Sequence, residues 1–319
     1  MAYRRVVGLG LCVVDHAYRV EGFDPAQPRT RFTERRVSSG GMIGTALAQT
    51  AALGCNAHVL SVLGADAEGR FLRGALRAAQ VKTGRLILSP RLPTTVAVVL
   101  VDARSGERRF IVPNRRAIEA RAPALDLSII DRRTLLLVDG HFPAQALRAV
   151  ERAREVGATV IGDFHLPRPA VRRLLPHVDH PIVPVEFAAA SGDDDPRSTL
   201  RALAEVSRGR PVVTLGRRGG LYLEGRRVRR FRAYPAKVVD TTGAGDAFHG
   251  AFAAGLDHGL EFAEALDLAA RAAALACTAL GGAARLMTRD EMRRALRLMT
   301  RDEMRRALRR AAGSARRGR

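Results

Sequence analysis

The chain has no tryptophan, only three cysteines, and an aromatic content of 5%. With so few flat rings, stacking platforms for single strands are scarce, and specific nucleic-acid binding is not expected. Cys12, Cys55 and Cys277 lie far apart with no C-x-x-C spacing, which argues against a disulfide framework and for a reduced, cytoplasmic protein. No apolar run reaches the length of a bilayer span, so no membrane partner is expected either. Lysine is nearly missing: of 53 basic residues only Lys82 and Lys237 are lysines. The rest are arginines spread along the whole chain rather than gathered in one stripe. A net charge of +21 still attracts anions and gives salt-dependent contacts with polyanions.

What is present is a chain of 319 residues, 47% of them hydrophobic, enough for one large α/β domain with a small appendage. Arg4–Val14 reads as a first central strand with Asp15 at its end, where open α/β sheets place ligand groups. Residues 17–21 and 31–37 alternate like strands. Met42–Leu53 reads as a helix, 57–63 as a strand, Glu68–Ala79 as a helix. Val96–Val101 and Arg108–Val112 flank a Ser105-Gly106 turn as a hairpin. From Thr134 onward, strands and helices alternate: strand Thr134–Val138, helix Ala144–Val156, strand Thr159–Ile161, strand 182–185, helix 198–208, strand Val212–Leu215, then the pair 220–224 and 227–232. Two long helices follow near 245–258 and 261–280. This alternation predicts a doubly wound, mostly parallel sheet with helices on both faces.

The most informative segment is Asp240-Thr241-Thr242-Gly243-Ala244-Gly245-Asp246, which runs into the apolar stretch Ala247-Phe248-His249-Gly250-Ala251-Phe252. Small residues at 243–245 allow a sharp turn and a close approach of backbone to ligand. The free N–H groups of the helix that follows make a site for an anion, phosphate above all. Asp246 stands among these donors, where a carboxylate is placed to take a proton from an attacking hydroxyl. Anion cradle and general base are the two parts that phosphoryl transfer needs. A glycine-rich helix start capped by Asp would use some of the same residues, but not the whole contiguous run.

This segment resembles the C-terminal signature of the ribokinase (PfkB) carbohydrate kinases. A second region is similar to the N-terminal pattern of that family: Ser39-Gly40-Gly41-Met42-Ile43-Gly44-Thr45-Ala46, then Ala52-Leu53-Gly54, then Val62-Leu63-Gly64-Ala65-Asp66-Ala67-Glu68-Gly69. The likeness covers roughly 4–296, and the Phe-His-Gly extension after Asp246 is similar to the sulfofructose-kinase branch. The resemblance implies a ribokinase-like fold in which the two strand-only regions, about 15–37 and 93–115, form a small β lid over the sugar within a kinase domain of 1–297. It further implies ATP and Mg2+ as cofactors, with K+ in many relatives, and a homodimer contact through the lid. Asp246 then matches the catalytic base, and Gly243, Ala244 and Gly245 the anion hole. Asp15, Gly40 and Gly41 match positions that contact the sugar, where Asp15 also suits a strand-end turn and the glycines a helix entry. Thr214 and Gly216 resemble the nucleotide-side turn. Gly281 and Gly282, read as the Gly pair that stops the last long helix, resemble the lining of the adenine and cation sites. Asp240 and Thr242 match cation-coordinating positions, or simply cap the turn.

Two departures stand out. Thr45 replaces a frequent Asn, and in Val183-Pro184-Val185-Glu186 the Asn-x-x-Glu of the family, linked to magnesium and phosphate, keeps only Glu186. These changes touch sugar specificity and magnesium handling rather than reaction class. Arginines crowd the lid at Arg29, Arg31, Arg35, Arg36, Arg108, Arg109, Arg115 and Arg116, which suits either a solvated charged face or an anionic acceptor such as a sugar phosphate or sulfosugar. His141 and His165 follow strands without ligand spacing, and Asp163 is a further candidate for the site rim. Two rival readings stay open: a nucleoside kinase, which needs an aromatic sandwich for the base, and a non-catalytic sugar- or polyanion-binding regulatory relative. Last, Leu286–Arg297 is repeated without change at Leu298–Arg309, each copy opening with a Thr-x-x-Glu capping box, before a basic tail expected to be disordered.

Overall fold

The computed structural model describes residues 3–22, 29–104, 108–192 and 195–297. Eight strands form the central sheet, in the order Arg227–Phe231, Gly220–Glu224, Val212–Thr214, His180–Pro184, Thr159–Asp163, Thr134–Val138, Arg5–Leu9, Ala57–Leu60. The pairs from Val212–Thr214 across to Ala57–Leu60 are parallel, and the last two strands of the chain add an antiparallel edge. Central strands are apolar on both faces because both are covered: Val6, Leu135 and Leu137 enter one core, Val7, Leu136 and Val138 the other. Met42–Ala52, Ala67–Ala78, Ala244–Asp257 and Phe262–Ala276 pack on the first side, Pro143–Val156, Pro169–Leu174, Val185–Ala190 and Pro196–Val206 on the second. This is the doubly wound arrangement that the alternation predicts. The strand order reverses between Arg5–Leu9 and Thr134–Val138, which opens a crevice at the carboxyl ends of the strands.

The lid is a separate sheet of four strands, ordered Phe32–Gly40, Val13–Val20, Val96–Asp102, Arg108–Ile111. Its inner residues Ala17, Val99 and Val101 pack on Leu280, with Val239 beside them, so the lid rests on the loops that bear the glycine-rich motif. The Gly64-Ala65-Asp66 element anchors its base: Asp66 accepts the Gly69 N–H at 2.8 Å and the Thr94 N–H at 2.8 Å, just ahead of the third lid strand.

Three expectations are corrected. The first strand does not run from 4 to 14; it ends at Leu9, and the chain bends through Gly10 to begin the lid at Val13, so Asp15 lies inside a lid strand rather than at the end of a central one. The cause is Asp139, whose carboxylate fills the space beside Gly10 and takes the Leu11 N–H at 2.7 Å. The strand read over 57–63 is interrupted at Ser61, with Val62–Gly64 pairing instead with Ile87–Ser89. The last long helix ends at Ala276, and Gly281-Gly282 belongs to a loop of its own.

At the C-terminus, residues 289–297 are helical, and the first capping box forms, with the Thr288 N–H donating to Glu291 Oε2 at 2.8 Å. Gln49 clasps this segment, donating to Met287 O at 3.0 Å and accepting the Met287 N–H at 2.9 Å. The second copy of the repeat lies outside the described residues. No helix among the described residues is long and apolar enough to cross a membrane.

Candidate active site

The Ala244–Asp257 helix is apolar nearly all round because it is wedged between the sheet and the helices Met42–Ala52 and Phe262–Ala276. Gly250 allows the backbone of Ala46 to touch it, and Thr50 Oγ1 bonds Gly250 O at 2.9 Å. The helix start is thereby held rigidly at the crevice. Gly243 caps it at φ 74°, and a Cβ there would lie 2.6 Å from Gly282 Cα, so any other residue would push the two loops apart. The Ala244 N–H is taken by Thr241 O at 3.3 Å, and the Ala247 N–H closes onto Gly243 O at 2.8 Å. The N–H groups of Gly243, Gly245 and Asp246 make no hydrogen bond among the described residues, which narrows the expected cradle to three donors.

Asp240 organises the loop from below. It is fully buried; Oδ1 accepts the Thr242 N–H at 2.8 Å and Oδ2 the Gly281 N–H at 2.9 Å. Both oxygens are thus bound to backbone, which makes Asp240 a staple between loops before anything else. Thr242 Oγ1 is buried without a partner.

Asp15 reaches the same place from the lid. Its carboxylate fills the space over Gly40, where a Cβ would collide with it, and a Cβ on Gly282 would lie 3.6 Å from Asp15 Oδ2. Burial, then the charge of Asp240, pushes the Asp15 carboxyl up to about 7. Gly41 at φ 84° turns the chain into the Met42–Ala52 helix, and the Ile43 N–H settles on Leu11 O at 3.1 Å. Thr45, one turn on, is buried with Oγ1 unpartnered. Asp15, Gly40, Gly243 and Gly282 therefore converge.

Other expected residues stand apart. Thr214 ends its strand two positions along the sheet from Asp163, with Gly216 opening the turn that follows. Glu186 is exposed in the first turn of Val185–Ala190, while Val183 is fully buried in the core. No group of three or more His, Cys, Asp or Glu side chains arranged to hold a metal occurs among the described residues. Of the lid arginines, Arg108 donates to Thr241 Oγ1 of the motif, and Arg36 lies beside Gly281 of the adjoining loop. Arg115 instead approaches Glu119 Oε1 at 3.7 Å and Arg35 stacks over Tyr18.

Three groups near the site escaped sequence reasoning. Asp139, at the carboxyl end of Thr134–Val138, holds the Leu11 and His141 N–H groups at 2.7 and 2.8 Å; an Asp-Gly at the end of a buried strand was the available signal. Glu119 accepts from His141 Nδ1 at 2.7 Å, and that contact had no local signature. His249 lies against Asp163 one turn below Asp246. Asp246 itself, partly open to the crevice, is held well above the ordinary carboxylate range by burial and then by the charge of Asp163.

The family comparison agrees with the motif. The pfkB family carbohydrate kinase pattern matches residues 4–289. The chain belongs to this family. As a pfkB carbohydrate kinase it is an ATP-dependent phosphotransferase. It is 24% identical over 293 residues to a ribokinase of Bacillus subtilis, covering 91% of this chain and 98% of that one. To a fructokinase of Klebsiella pneumoniae it is 29% identical over 279 residues, covering 80% and 91%. Superposition on the crystal structure of an inferred ribokinase of Agrobacterium tumefaciens gives a TM-score of 0.85 at 25% identity, over 94% of this chain and 99% of that one.

Proposed function

We propose that this pfkB kinase phosphorylates a hydroxyl of a sugar or sugar derivative bound between the lid and the Gly243–Asp246 helix start. The observation that carries this reading is the meeting of Asp15, from the lid, with Gly282 and Gly243, from the anion loop. Asp15 offers two oxygens to acceptor hydroxyls, and the bare backbone of Gly40 and Gly41 allows the ring to come close. Asp246 takes the hydroxyl proton as the new O–P bond forms and the bond from the γ-phosphorus to the bridging oxygen of ADP breaks. The N–H groups of Gly243, Gly245 and Asp246 hold the negative charge carried by the transferring group. Ala244 shapes the turn without donating.

Thr214 and Gly216 line the nucleotide side in this reading. Magnesium fits a site with one carboxylate, Glu186, because Mg2+ bound to nucleotide takes most of its ligands from phosphate and water. The unpartnered Thr242 hydroxyl fits a monovalent cation such as K+, although Asp240 is already committed to backbone N–H groups. When bound, magnesium neutralises charge on the phosphates.

The finer reading is that the acceptor is anionic, a sugar phosphate or sulfosugar. Arg36 and Arg108 support it, since Arg108 contacts Thr241 of the motif and Arg36 stands beside the Gly281 loop that Asp240 ties to it. The aromatic pairs centred on Phe252, Phe262 and Phe248 lie in the core, and among the described residues the pair on the lid, Tyr18 with Phe32, meets edge to face rather than as two parallel walls for a base. Phe32, Phe110 and Ile111 are exposed on the two edge strands of the lid, with Val112 just beyond, and these apolar edges suit a second copy of this chain. Light scattering of the wild type and of Phe110→Glu tests that contact, with loss of a dimer expected.

The deciding assay is ATP-to-ADP conversion across neutral sugars, sugar phosphates, sulfosugars and nucleosides. Turnover is expected on a sugar. A preference for anionic acceptors that is lost in Arg36→Ala or Arg108→Ala supports the finer reading, and equal use of neutral and anionic ketoses removes it.

A further inference from the structure

Behind Asp246 lies a buried group that the transfer step does not itself use. His249 is 5% exposed, one turn further along the same helix. Its Nδ1 is 2.7 Å from Gly245 O and 3.3 Å from Asp163 Oδ2, and its Nε2 is 3.4 Å from Ile182 O. The ring thus faces three oxygens. A neutral imidazole has one N–H and one lone pair, so either tautomer aims a lone pair at an oxygen. Only the imidazolium presents an N–H on both sides. Asp163 Oδ2 makes no hydrogen bond of good geometry although it is buried.

We infer that His249 is a positioning residue for the kinase reaction: as an imidazolium held by Gly245 O and Asp163 at one ring nitrogen and by Ile182 O at the other, it fixes the first turn of the helix and lets Asp246 remain ionised beside the buried carboxylate of Asp163. The inference rests on Asp246 being the base. Two carboxylates in one buried place resist ionising together, and a cation between them removes that resistance. Burial of the ring is the largest influence and pushes the imidazole pKa down toward the neutral form, against Gly245 O, Asp246 and Ile182 O; the ground for the charged form is the oxygens that face both ring nitrogens.

The neighbouring elements bring few competing charges. Asp139 and Asp15 act on Asp246, and Asp139 and His141 on Asp163. The Met42–Ala52 helix carries no ionisable side chain. On Phe262–Ala276, Asp267 and Arg271 pair with each other, and Glu264 caps its own helix. His180, on the strand that supplies Ile182 O, stacks on Phe252 and Phe262. The local balance is therefore that of Asp163, His249 and Asp246, with Asp139, Asp15 and His141 acting from around them.

Two readouts test the inference on the full chain. The first is the ¹⁵N chemical shift of the His249 ring, assigned by its absence in His249→Asn, in the wild type and in Asp163→Asn. The second is the pH dependence of kcat in the wild type, His249→Asn, and the double variant His249→Asn with Asp163→Asn. Asn keeps a donor toward Gly245 O but no charge, so a purely structural role is largely preserved. We expect an imidazolium at pH 7 in the wild type that loses its proton at lower pH in Asp163→Asn. We also expect the acid limb of kcat to rise by about one pH unit or more in His249→Asn, and to return toward the wild-type position in the double variant. A neutral His249 ring at pH 7, or acid limbs that superimpose in all three proteins, overturns the inference. A wild type that turns over no acceptor overturns the base reading beneath it, and the ring shift then reports separately whether the clasp exists.

Discussion

The carboxylate of Asp240 and the backbone of Gly281 are 41 residues apart in the chain and 2.9 Å apart in space. Through Asp240, one buried side chain holds both the Thr242 end of the anion loop and the Gly281 turn on which the lid rests. Asp240→Ala leaves two buried N–H groups without acceptors, at a cost of about 1–3 kcal/mol each. A clear drop in the urea midpoint is expected, with turnover reduced more than folding alone explains. An unchanged midpoint contradicts the staple.

Asp246 is tested by Asp246→Asn, which keeps the shape and removes the proton acceptor. Turnover should fall by roughly 10²–10⁴-fold while ATP binding, followed by calorimetry, stays close to the wild type. Near-normal turnover dismisses Asp246 as the base.

Asp15 makes stability and affinity respond oppositely to pH. Its folded pKa, about 7, stands above the ordinary value of 3.8, because burial and Asp240 disfavour the charge. A raised carboxyl contributes stability that is complete below about 3.8 and is lost as pH rises to about 7. Acceptor binding should move the other way, improving as Asp15 ionises near pH 7. Asp15→Asn is expected to flatten the fall in Tm between pH 5 and pH 8 and to raise KM for the acceptor at pH 8. Parallel Tm curves for the two proteins rule this out.

The duplicated segment offers a truncation test. Met287 and Met292 of the first copy are buried in the core, and Gln49 holds the Met287 backbone on both sides. Removing 298–319 should leave turnover, Tm and oligomeric state unchanged. Removing 286–319 exposes that core and should lower Tm by several degrees or abolish folding. A loss of activity on the shorter truncation assigns the second copy a role.

Much of this architecture was legible because the buried strands carry continuous apolar runs and the helices a helical period: Thr134–Val138 and Gly220–Glu224 fall where the pattern places them. The errors came where a distant side chain overrode a local pattern. Asp139 turns the chain at Gly10, and Asp15 accordingly enters the lid. The loop around Gly281 continues past the end of its helix because Asp240 holds it.

By itself, the sequence determined the reaction class. A contiguous glycine-rich turn, an acidic residue and an apolar helix are local features, and each acts through residues a few positions apart. The tertiary structure alone decided which charges meet. Asp15, Asp139, Asp163 and Asp246 come from four separate segments and share one crevice only because the sheet order reverses there. It also packs the first copy of the repeat into the core, where Gln49 holds the backbone of Met287. Propensity is encoded along the chain, whereas desolvation and pairing depend on neighbours that only folding supplies.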